Sequence, residues 1–131
     1  MNISPEIAKA TKELRLSYPN YTVESYQFVS DSVNYTIGKL SSHRHISGLE
    51  LLEGIREFAF LEYGAVAPQV LRSFGLGCAR NVGEVVYLLI GVGILSASPE
   101  DSPENFNVDF SWDEKEKTSP ECKKLPYIDA D

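Results

Sequence analysis

The chain has 131 residues, 43% hydrophobic and 24% charged, the composition of one globular domain with a core of its own. Its net charge of −7 disfavours a nucleic-acid partner, because an acidic field repels phosphate. Two cysteines, Cys78 and Cys122, form neither a disulfide framework nor a zinc spacing, and no apolar leader segment is present, so the sequence reads as cytoplasmic.

Ser4-Pro5-Glu6 predicts the first helix: Ser4 caps, Pro5 suits the first helical position, and Glu6 lies at the positive end of the dipole. Ile7, Ala10, Thr11 and Leu14 give it an apolar stripe, and Tyr18-Pro19-Asn20 stops it. Thr22 caps a second helix over about 23–40, in which Tyr26, Val29, Val33, Ile37 and Leu40 recur every three or four residues. A polar break, Ser41 to Ile46, carries His43-Arg44-His45. Two histidines at this spacing can share a metal from a strand, but no third ligand accompanies them, so the pair reads as surface.

Ser47-Gly48-Leu49-Glu50 is a capping box for a third helix, which buries Leu52, Ile55, Phe58, Ala59 and Tyr63 and ends at Gly64. A short helix over Val66 to Phe74 follows and stops at Gly75-Leu76-Gly77. Then comes the strongest apolar run in the chain, Val82 to Leu95, with Asn81 and Glu84 spaced as a second capping box. A helix apolar nearly all round is interior, and fourteen residues fall short of the about 20 that a membrane span needs. This stretch is therefore expected to be the element on which the other helices pack.

Ile94 to Ser98 leaves the run in extended form. After the turn-forming residues 99–105, Phe106, Val108 and Phe110 alternate with polar residues as in a half-buried strand. Paired, the two segments make a small β-hairpin. The expected fold is mainly α with that hairpin, an α+β single domain resembling a winged helix, over residues 1–112. Residues 113–131 read as an acidic tail. Residues 99–131 hold four Lys against ten Asp/Glu, a net of −6, while the rest of the chain is close to neutral.

Tyr26-Gln27-Phe28-Val29, Arg44-His45-Ile46-Ser47-Gly48, Glu50-Leu51-Leu52-Glu53-Gly54-Ile55-Arg56, Val82-Gly83-Glu84-Val85-Val86 and Gly93-Ile94-Leu95 stand in this order, with Tyr63-Gly64, Val70-Leu71 and Phe74-Gly75 between them. Asp101-Ser102, Phe106 and Asp109-Phe110 follow. In these residues, from about 20 to 112, the chain resembles a family of small uncharacterised bacterial proteins, the Planctomycetes/Verrucomicrobia conserved hypothetical family. The resemblance implies no activity, since that family is one of unknown function.

A winged helix raises the question of DNA. The helix that would enter the groove offers Gly83, Glu84, Tyr87 and Gly91, none of which reads bases as Arg, Asn or Gln does, and the hairpin brings Asp101, Glu104 and Asp109 toward phosphates. Arg72 and Arg80 make a weak backbone footprint. For enzymes, there is no complete glycine-rich phosphate loop, no Gly-x-Ser-x-Gly and no His-Glu-x-x-His, and no motif names a cofactor or small-molecule ligand. Cys78, two residues from Arg80, is the best nucleophile candidate, and reads more simply as a packing residue. The expectation is thus a non-enzymatic module that binds a protein partner or itself through Arg44, His45 and Arg80, or through Asp101 to Asp109. A DNA-associated regulator is the alternative.

Overall fold

The computed structural model describes residues 2–39, 47–96 and 112 of the chain. In order, these form α1 (Pro5–Ala10), α2 (Lys12–Ser17), α3 (Val23–Gly38), α4 (Gly48–Tyr63), a 3₁₀ turn (Gly64–Val66), α5 (Ala67–Ser73) and α6 (Ala79–Gly91).

The predicted starts of α1, α3 and α4 are found where side chains can hold the first free N–H groups. The Ser4 hydroxyl accepts from the Ile7 N–H at 3.3 Å, with Pro5 at the first position. Thr22 and Ser25 close a reciprocal capping box on α3, and Ser47 and Glu50 close another on α4, both bonds of the latter at 3.1 Å. Gly64 ends α4 with φ +64°. The first helix, expected as one piece, is two. The Thr11 hydroxyl turns back to the Ile7 carbonyl at 2.8 Å, and the backbone breaks there at φ −100°, ψ 7°. Arg15 spans the break, its guanidinium donating to the Ala8 carbonyl at 2.7 Å.

α3, and not α6, is the hub. It packs on α4, on α6 and on α1, and its residues from Ser25 through Ser30 are all buried, more than a full turn with no solvent face. Tyr26, Phe28 and Val29 are completely enclosed. α6 instead lies on its flank: Val82, Val85, Val86 and Leu89 are buried, while Glu84, Tyr87, Leu88 and Ile90 are half-exposed. An apolar run of this length therefore supplies one wall of the core. Phe28, Phe58, Tyr63 and Phe74 join α3 to α4 and α5 through ring contacts at 5.7–6.3 Å.

The α+β, winged-helix expectation is not met. Among the described residues there is no strand, and the fold is all-helical. Ile94 and Leu95, at the start of the segment read as the first strand, are spent on closing α6, and residues 97–98 lie outside the described residues. The Ile94 N–H reaches the Leu89 carbonyl at 2.9 Å, the Gly93 N–H reaches the Ile90 carbonyl at 3.1 Å, and Gly93 has φ +84°. That is the Schellman pattern, in which a left-handed glycine folds the following N–H groups back onto the last turn. The Leu95 N–H also points to Leu89, at 3.3 Å, so Ile94 and Leu95 turn back instead of extending. The second expected strand, Phe106 to Phe110, lies outside the described residues.

Candidate functional site

The densest polar grouping sits where the N-terminal end of α6 meets the turn before α3. α6 starts three residues before the predicted cap. Cys78 takes the cap position and Asn81 the third helical one, its side-chain oxygen accepting from the Cys78 N–H at 3.3 Å and from the thiol at 3.4 Å. This releases Glu84 from capping. Its carboxylate accepts from the Tyr21 hydroxyl at 2.7 Å, and the same hydroxyl accepts from the Asn81 amide at 3.3 Å. Tyr21 is 2% exposed and Asn81 4%, so this chain of bonds runs from Cys78 to Glu84 almost entirely out of water.

The surrounding turn is fixed from the other side. Ser25 donates its hydroxyl to the Phe74 carbonyl, the Leu76 N–H reaches the Leu71 carbonyl at 2.8 Å, and Gly75 takes φ +80°. A Cβ on Gly75 would stand 2.3 Å from the Asn20 carbonyl oxygen, so the turn after α5 is pressed directly on the turn before α3. Trp112 completes the arrangement: 2% exposed, it donates its indole N–H to the Leu76 carbonyl at 2.6 Å.

What this grouping does chemically is bond to itself. Tyr21 donates to Glu84 while accepting from Asn81, and the Asn81 oxygen is taken by Cys78. Cys78 is a thiol, not half of a disulfide, and is 2% exposed, which keeps a substrate electrophile from its sulfur. Among the described residues no group of three or more His, Cys, Asp or Glu side chains is placed to hold a metal ion. No helix among them is long and apolar enough to cross a membrane.

Of the residues singled out in the sequence as an interaction surface, only Arg80 is described; it is half-buried in the first turn of α6 and engaged there. Arg44, His45, Asp101 and Asp109 lie outside the described residues, as does His43. Tyr21, central to the polar grouping, had no signal in the sequence beyond being aromatic. The Asn81/Glu84 spacing was visible, but pointed to a different bond.

A second feature lies at the far end of α4. Phe60 is 39% exposed, Leu61 67% and Val66 55%, three large apolar residues within one stretch of seven positions. Glu57 and Glu62 flank them, Glu57 being paired with Lys39.

No protein-family model matches the chain, and no curated protein or solved structure is significantly similar to it.

Proposed function

We propose that the chain is a helical protein-interaction module without a catalytic centre, binding a protein partner or a second copy of itself. The observation that carries this reading is the exposed group Phe60, Leu61 and Val66 at the α4–α5 junction. Single surface leucines are ordinary, whereas three large exposed apolar side chains within seven positions leave apolar area in water that a partner would cover. The polar residues that might have served chemistry, Cys78, Asn81, Glu84 and Tyr21, are engaged with one another. The family that the sequence resembles adds no activity to this reading.

The test is a comparison of the wild-type chain with the Leu61→Ser/Val66→Ser variant, both confirmed as folded by circular dichroism. Sedimentation velocity over a hundredfold concentration range reads self-association, and affinity capture from the native extract reads a heterologous partner. Association or capture by wild type that the variant loses by tenfold or more is the expected result. Identical behaviour of the two proteins in both measurements overturns the proposal.

A further inference from the structure

Trp112 is the single tryptophan of the chain and is 2% exposed within the hydrophobic core. It lies 36 positions from Leu76, whose carbonyl accepts its indole N–H at 2.6 Å. The acceptor is placed without help from the tryptophan. Leu76 is itself fully buried, its N–H is tied to the Leu71 carbonyl at 2.8 Å, and Gly75, at φ +80°, is pressed against the Asn20 carbonyl. A buried carbonyl aimed at an apolar hollow needs a donor on a large flat side chain, and indole is the side chain that unites the two. The residues on either side of it in the sequence, Ser111 and Asp113-Glu114, are polar and acidic, so Trp112 is the one large apolar side chain of positions 111–114.

We infer that the hollow beside Leu76 is a tryptophan-recognition site, filled by Trp112 of the same chain, and that it takes the corresponding segment of a second copy when its own tryptophan is missing. The contact joins groups 36 positions apart, so it is a meeting of two segments that two chains could also make. Within one chain the connection adds an effective concentration, on the order of millimolar where the linker is short. Below that concentration the site is filled from within its own chain, and a segment from outside competes poorly. The site and the exposed residues Phe60, Leu61 and Val66 are separate features, so either stands if the other fails.

The Trp112→Ala variant empties the site and leaves the protein without another indole. A synthetic peptide of residues 106–118 then carries the only tryptophan in the mixture. Its emission shifts to the blue and saturates on titration with the variant, and wild-type protein binds it at least tenfold more weakly. The same peptide with alanine in place of the tryptophan does not bind; with phenylalanine, which keeps bulk and loses the donor, it binds about tenfold more weakly. Should Trp112→Ala unfold, the tryptophan peptide restores its helical circular dichroism and the alanine peptide does not. Acrylamide quenching of wild-type Trp112 gives a second reading, with the indole expected to be shielded. Absence of both binding and refolding with the tryptophan peptide, equal response to the alanine peptide, or free quenching of wild-type Trp112 overturns the inference.

Discussion

Gly54 on α4 faces Thr36 on α3 so closely that a Cβ at position 54 would lie 2.2 Å from the threonine Oγ1 and 2.8 Å from its Cβ. No rotation of Thr36 relieves the second contact, and its hydroxyl is held by the Ser32 carbonyl at 2.9 Å. The hub helix and its largest neighbour therefore touch through small residues. Gly54→Ala gains about 1 kcal/mol of helix propensity and loses about 1–3 kcal/mol to overpacking. The expected net effect is a lower urea midpoint, by about 1 kcal/mol of stability. Thr36→Ala in the same chain, which removes Oγ1 and Cγ2, recovers part of that loss. A Gly54→Ala protein as stable as wild type would sink this account of the interface.

Gly75→Ala is expected to be worse and not to be rescued by trimming a side chain. Its φ of +80° is costly for any residue with a Cβ, by about 1–2 kcal/mol, and the obstructing atom is the main-chain oxygen of Asn20 at 2.3 Å. Together with overpacking, the loss should reach about 2–4 kcal/mol. Gly93 supplies the control, with φ +84° and open space around the missing Cβ, so Gly93→Ala carries the backbone cost alone. Thermal denaturation of the two variants reads the difference directly; equal losses would mean that the turns before α3 and after α5 are not pressed together.

The legible part of this fold was the part written in local chemistry. Thr22, Ser47 with Glu50, Pro5 and Gly64 announce helix ends by residue type, and the structure has ends there. Periodicity located α3 but understated its burial, because it counts apolar residues and this helix also buries polar ones. Ser25, Gln27, Ser30, Ser32 and Thr36 are at most 8% exposed, so the side that looked like a solvent face is packed. Their burial costs little, since Ser32 and Thr36 bond carbonyls of their own helix and Gln27 links the Ser4 N–H at 2.8 Å to Asp31 at 2.9 Å. Small hydroxyl residues are also what lets α4 approach. At α6 the error ran the other way. A cysteine is a weak cap by type, so the spacing points to a start at Asn81, and the partner that draws Glu84 away, Tyr21, is 63 residues distant. Cys78, Asn81 and Glu84 are thus legible as residues, while Tyr21 and the arrangement that joins them are not.

Tyr21→Phe tests that arrangement. It removes the donor to Glu84 and the acceptor for the Asn81 amide, leaving a buried amide short of a partner, while the edge-to-face contact with Tyr26 at 6.2 Å survives. Loss of a hydrogen bond to a charged acceptor costs about 1.5–3 kcal/mol, and the Glu84→Gln variant, which keeps an acceptor oxygen, should lose less than half as much. Hydrogen exchange should place the loss in the first turns of α6, around Asn81 and Val82, ahead of α4. Uniform acceleration across all helices, or no change in stability, contradicts the role given to this hydroxyl.

Tyr63 shows the opposite case, a buried hydroxyl that meets no hydrogen-bond partner among the described residues. Its ring packs on Phe28 at 6.1 Å and edge-on to Phe74 at 6.2 Å, contacts that phenylalanine would keep. Tyr63→Phe should therefore stabilise, by about 1 kcal/mol, because the unfolded chain no longer gives up hydration of that hydroxyl on folding. The same burial, with the charges of Glu62 and Asp31 adding to it, raises the phenol above its ordinary 10.0. A folded-state value raised above the unfolded one means that the folded chain binds the proton more tightly. Stability from this source is then complete below pH 10.0 and declines as the pH rises through the folded value. Lys39 shifts the same way from 10.5, chiefly through its hydrogen bond to Glu57, and adds to the decline at slightly higher pH. Denaturant midpoints between pH 8 and 11.5 should fall more steeply for wild type than for Tyr63→Phe. Adding Glu57→Gln should flatten the remainder. Parallel curves for wild type and Tyr63→Phe would show that the phenol is wet in the folded protein.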